Sequence, residues 1–217
     1  MRHDNELECA ARVAERPWRR RAHRLIAVSA AAALLHGCAA LGATEDPPDT
    51  FNLVAPAQVP AGPVRRGTQI LIAEPVAVQA LDSDNIVVET APFTIQYLGD
   101  SRWGDRLPRL VQRRLAESFD RADRFSGVGL PGQGLAIDYQ IVTNIRAFGI
   151  DVPAGVAEVE IEVKLLDDRN GVVRADRRFE VAVPVSRSAA PDVYVRALNA
   201  AFTRVAADIV GWVAELI

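Results

Sequence analysis

From position 39 onward the chain contains no histidine and no cysteine. All three histidines (His3, His23, His36) and both cysteines (Cys9, Cys38) lie upstream. Cys/His zinc centres, Ser-His-Asp triads and Cys-His nucleophiles are therefore excluded from the body of the chain, and so is a disulfide within it. Lysine is nearly missing too. Lys164 is the only one, and it sits in an alternating strand pattern that does not suit a lysine base. Carboxylate pairs and a hard-metal site stay open on composition alone. No GxxxxGK[ST] pattern is present, so no ATP site is expected.

No apolar run is long enough to span a bilayer. The stretch Leu25 to Leu35 has eleven small or apolar residues. As a helix it reaches roughly 16 Å, against a hydrocarbon core of about 30 Å. Its flanks fit a secretory leader. Arg19, Arg20, Arg21 and Arg24 precede it, and small residues follow. Leu35-His36-Gly37-Cys38 resembles a bacterial lipobox, with Leu three before the cysteine and a small residue one before it. His36 departs from the small residue usual there. The resemblance implies cleavage before Cys38 and a diacylglycerol on its thiol. A buried apolar helix with an inert Cys38 is the competing structural reading. The expected division is a lipoprotein signal peptide at 1–37, the lipidated Cys38 with a flexible tether at 38–50, and one folded domain at 51–217.

Positive charge is in short supply after the leader. Residues 38–217 carry 18 basic and 24 acidic side chains, a net of −6. No basic surplus exists to displace counterions, which excludes nucleic acid as a partner. The tether, "AALGATEDPPDT" (39–50), has no periodicity and contains a Pro-Pro pair.

Strand signals dominate the body. "TQILIAEPVAV" (68–78) and "NIVVETAPFTIQYL" (85–98) are β-branched and aromatic, with Pro92 breaking the second group. Leu135, Ile137, Tyr139, Ile141 and Ile145 alternate along one face. Val159, Ile161, Val163 and Leu165 do the same, opposite Glu158, Glu160, Glu162 and Lys164. "DDRNG" (167–171) ends in Asn-Gly and predicts a hairpin into 172–185. Two segments change period. In 101–122, Leu107, Leu110, Val111, Leu115 and Phe119 share a helical face, with Arg109, Gln112, Arg113 and Glu117 elsewhere and Pro108 near the start. Near the end of the sequence, Leu198, Phe202, Val205, Ile209, Val213 and Leu216 form a second stripe. These elements predict an α+β domain: one mainly antiparallel sheet carrying both helices on a single face.

Several features imitate sites. "GVGLPG" (127–132) matches GxGxxG but follows a helix and opens a strand, the reverse of a dinucleotide fingerprint, and reads as a plain turn. "LDSDN" (81–85) lacks the Gly and distal Glu of a calcium loop and reads as a solvated loop. Glu158, Glu160 and Glu162 read as the wet side of a strand, with contact to a basic partner as the alternative. Trp103 and Trp212, each placed with a helix, and Tyr97 and Tyr194 read as packing residues. No catalytic, cofactor-binding or metal-ligating residue is assigned; Cys38 is the one modification site.

The order of these pieces resembles the ABC-type transport auxiliary lipoproteins, the group that includes the PqiC lipoproteins. The lipobox and tether lead to Phe51-Asn52-Leu53, then to "ILIAEPVAVQALDSDNIVVE", then to "IQYLGDSRWGDRLPRLVQRRLAESF", with a closing helix containing "ALNAAF". Glu89 departs from the basic residue frequent after "IVV". The resemblance implies a non-catalytic accessory of an ABC system built around an MCE-domain protein, moving lipids between the two membranes of Gram-negative cells. It further implies lipid anchoring to the periplasmic face of the outer membrane and no cofactor, and it leaves a homo-oligomer open. Three competing readings differ in class. A regulator of a peptidoglycan synthase would call for a longer tether. A lipid carrier would call for an internal cavity, and a carboxylate enzyme for a converging acid pair.

Overall fold

The structure is a computed structural model that describes residues 47–217. The leader, the lipobox and Cys38 lie outside the described residues.

One strand organises the sheet. Strand β7 (Tyr139–Asp151) pairs antiparallel along its length with β8 (Val156–Asp167), which pairs antiparallel with β9 (Val172–Pro184). The other edge of β7 takes three strands in succession, all parallel. These are β2 (Arg65–Ile72), β3 (Val76–Ala77) and β4 (Asn85–Ala91), opposite Tyr139–Ile141, Asn144–Ile145 and Gly149–Asp151. Pro75, which has no N–H to give a ladder, falls in the gap between β2 and β3. Beyond β4 lies β5 (Thr94–Trp103), antiparallel, and beyond that β1 (Asp49–Phe51), parallel to β5. Beyond β2 lies β6 (Phe125–Gly129), parallel. The long pairings are antiparallel and the short ones parallel. The chain enters the sheet at Asp49, so the last two residues of the expected tether belong to β1.

Helices α1 (Leu107–Arg121) and α2 (Pro191–Leu216) pack on one face, as the apolar periodicity predicts. Leu107, Leu110, Val111, Leu115 and Phe119 are all buried, as are Leu198, Phe202, Val205, Ile209 and Val213. Leu216, expected to complete the second stripe, is 45% exposed in the last turn of α2. Against them lie Ile141, Ile145, Phe148 and Ile150 of β7 and Val159, Ile161, Val163 and Leu165 of β8. A bulge at Arg146 shifts β7 by one residue, so Phe148 and Ile150 still face inward after Ile145. Aromatic rings fill the layer: Trp103 meets Phe148 edge-on at 5.8 Å, and Phe148 meets Phe202 at 6.1 Å.

The start of α1 is fixed by the 81–85 loop. The Leu107 N–H donates to the Ser83 carbonyl at 2.9 Å, and Arg106 spans Asp82 and Glu74. This loop is therefore a seat for a helix terminus that has no side-chain cap. Trp103, placed with the 101–122 helix from sequence, instead ends β5, and its side chain is buried in the core as a packing residue. Gln112, expected off the apolar stripe, is buried and donates Nε2–H to the Ile72 carbonyl at 2.9 Å, tying α1 to β2. The GVGLPG stretch is a turn only in its second half, because Gly127, Val128 and Gly129 lie in β6.

Candidate docking face

The helices cover one face of the sheet and leave the other open. Its floor follows from strand parity. Cross-strand partners share a face, so Val87 and Glu89 of β4 lie with Tyr97 and Ile95 of β5, with Gly149 and Asp151 of β7, and with Glu158 of β8. Glu160 and Glu162 continue the row, and Glu180 of β9 lies directly opposite Glu160.

The charge on this face is mostly of one sign. Arg178 Nε reaches Glu160 at 3.1 Å, and Lys164 Nζ lies 4.0 Å from Glu162. Among the described residues no ion pair reaches Glu158, Glu89, Glu180 or Asp151. Partial burial, and then the nearby Glu180, Glu160, Asp151 and Glu89, hold the Glu158 carboxyl above the usual carboxylate range. Such a row of acids is electrostatically uncomfortable on its own and complements a positive surface.

Apolar groups border the acids. Tyr97 is 51% exposed, which corrects the expectation that it packs in the core; Tyr194, by contrast, is buried in α2. Ile95, Val76 and Val78 are exposed as well. Val78, Leu81, Val87 and Ile95, with Glu89, Arg146, Asp151 and Glu158, line a depression of about 90 Å³. A second hollow of about 200 Å³ lies between Val76, Val142, Asn144 and Lys164. Aromatic and aliphatic groups on a polar, acid-rimmed surface are the composition of a protein-docking patch. Among the described residues no group of three acids, His or Cys is placed to hold a metal ion. No helix among them is long and apolar enough to cross a membrane.

The glutamate row was legible as the wet side of β8. Its continuation through Glu89 and Asp151 was not, because that depends on β4 lying parallel to β7, a pairing no local signal encodes. The Trp residues do pack: Trp103 is buried, and Trp212 meets Phe179 edge-on at 5.6 Å.

Comparisons with known proteins agree with this architecture. The chain is similar to protein XCC0632 of Xanthomonas campestris, whose crystal structure superposes with a TM-score of 0.67 at 26% identity, covering 77% of this chain and 96% of that one. A second crystal structure, of an uncharacterised protein, matches in fold alone, with a TM-score of 0.58 at 14% identity over 75% of this chain and 99% of that one. An uncharacterised protein of Bradyrhizobium diazoefficiens is 30% identical over 172 residues, covering 75% of this chain; the chain spans 44% of that relative's length. Residues 51–210 match the model of the ABC-type transport auxiliary lipoprotein component family, and the chain belongs to that family.

Proposed function

We propose that this chain is an outer-membrane lipoprotein, anchored through Cys38 on the periplasmic side, that serves as a non-catalytic docking component of an MCE-type ABC lipid transport system. The family assignment carries the transport-accessory role. The lipobox at 35–38 supports the anchor, and Ala39 supports outer-membrane sorting because an Asp there commonly marks inner-membrane retention. Acyl chains contribute about 0.8 kcal/mol per buried CH₂, so several chains hold the domain at the bilayer.

The open sheet face supports docking. Its acids lie on neighbouring strands with exposed Tyr97 and Ile95 beside them, and among the described residues no three are placed to hold a metal ion. The partner is an MCE-domain protein presenting basic side chains to Glu158, Glu160 and Glu89 and an apolar group to Tyr97 and Ile95. Anchoring raises the local concentration of the domain beside such a partner.

Two variants test this reading. Labelled palmitate should enter the wild type and not Cys38→Ser; equal labelling of both would remove the anchor. A secreted form lacking Cys38 should fold, capture the MCE protein weakly and fail to restore outer-membrane integrity at native expression. Full complementation by that form would replace docking with a diffusible role.

A further inference from the structure

The strand register sets the direction in which the chain enters the sheet. β1 runs parallel to β5, with Asp49 beside Ser101 and Phe51 beside Trp103. The chain upstream of Asp49 therefore heads toward the start of β5, which is the β4–β5 hairpin tip at Pro92-Phe93. Thr50 lies level with Arg102, and Arg102 pairs with Asn85. From Asn85 to Ala91, at the hairpin end of β4, is six residues, or about 20 Å. Ala39 to Pro48 is ten residues, reaching at most about 36 Å. Ten residues are thus long enough to reach from Asp49 to the level of the hairpin tip.

That tip has the make-up of a membrane contact. Phe93 is fully exposed and sits at φ 65, in the left-handed region that favours glycine. A bulky aromatic side chain held there in water has no packing reason within the domain. Thr90 to Gly99 carries no charge, in a chain where 24% of residues are charged. The same end of the sheet presents the β7–β8 turn, because the Val152 N–H donates to the Glu89 carbonyl at 3.0 Å. That turn shows Pro153 and Ala154 to solvent, and Arg187 donates to the Pro153 carbonyl at 2.7 Å. A cation is the charge that anionic headgroups attract. Glu89 and Asp151, one cross-strand pair, lie a few residues behind the tip, roughly 10 Å back, so they remain in water when the tip enters the interface by about 5–10 Å.

We propose that the β4–β5 hairpin tip, led by Phe93, inserts into the headgroup region of the membrane that holds the lipid anchor. This rests on the lipoprotein reading of Cys38. A lipid anchor alone is a single point of attachment and does not fix the domain's orientation. A second contact fixes its orientation and stands the acidic sheet face upright beside the bilayer, where a membrane-spanning assembly passes.

The absence of cysteine after Cys38 makes the test clean. The full chain, lipidated in a Gram-negative host, is placed on vesicles of phosphatidylethanolamine and phosphatidylglycerol. An environment-sensitive fluorophore is carried at Thr94→Cys or, at the opposite end of β8, at Asn170→Cys. Flotation reports the anchor, and quenching by nitroxide lipids reports insertion. The label at 94 should shift to the blue and be quenched, and the label at 170 should not. Adding Phe93→Ser to Thr94→Cys should abolish the quenching while the protein still floats. Flotation with both labels unquenched overturns the insertion and leaves the anchor standing, as does quenching that persists without Phe93. A label shielded only when the MCE protein is added assigns the tip to protein docking instead. A chain that does not float overturns the anchor, and the proposal with it.

Discussion

Glu160 and Glu180 face each other directly across the antiparallel β8–β9 ladder, a like-charge pair that only Arg178, bonded to Glu160 at 3.1 Å, relieves. Opposed like charges weaken a sheet by a few tenths to about 1 kcal/mol. A domain that keeps them, with Glu158 and Glu89 close by, retains an arrangement better suited to a bound state than to the free one.

Glu158→Gln should therefore stabilise the domain at pH 7, by a few tenths to about 1 kcal/mol. The Glu158 carboxyl titrates above its unfolded value of 4.5. Its penalty is thus complete above the raised folded pKa and disappears as pH falls below 4.5. Chemical denaturation at pH 7 and pH 4 should show the gain at pH 7 only.

Asp138→Asn should behave in the opposite sense. Its carboxylate accepts the Gln69 N–H at 3.0 Å and pairs with Arg169 at 2.6 Å, and these hold it below its usual 3.8. The stabilisation is present above 3.8 and is lost as pH falls through the lowered folded value. The variant should be weaker than wild type at pH 7, and the gap should close in strong acid. A gap that stays constant with pH would remove the carboxylate's role in joining β2 to the start of β7.

Gly149 is required by close approach. A Cβ there would lie 2.8 Å from the Val87 carbonyl oxygen and 3.2 Å from the Val87 side chain. Gly149→Ala should push β4 from β7 and cost about 1–3 kcal/mol, seen as a lower midpoint in a urea melt. It should also disturb the depression beneath Ile95. An unchanged midpoint would mean that β4 is not held this closely.

Leu115→Ala empties a fully buried site between α1 and the sheet and should cost about 2–5 kcal/mol. Arg113→Ala, which removes a solvent-exposed contact with Asp105 at 3.3 Å, should stay within about 0.5 kcal/mol. Comparable losses at both would place the helix in the wrong phase.

The legible parts of the molecule were those with a local period. Both helical stripes, the β8 alternation and the Asn-Gly hairpin follow from neighbours in sequence, and residues such as Leu115, Val159 and Gly171 lie where that pattern puts them. What was missed is non-local. β6 is five residues of Phe, Ser, Gly and Val whose only strand signal is the partner β2. Gln112 looked polar and outward, and it is buried because the Ile72 carbonyl waits beneath it. Tyr97 looked like core, and it is exposed because β5 lies outside β4, with only the short strand β1 beyond it. The open sheet face inherits this limit, because it joins five strands, some of them drawn from distant parts of the sequence.

On the docking reading, this open face, and not the helical one, should meet the MCE protein. A photo-crosslinking residue at Tyr97, in the full-length lipoprotein at native expression, compared with one at the solvent-exposed Asp208 on α2, tests it most directly. A covalent adduct with the MCE protein is expected from position 97 and none from position 208. Adducts from 208 alone, or from both positions equally, would contradict the docking reading.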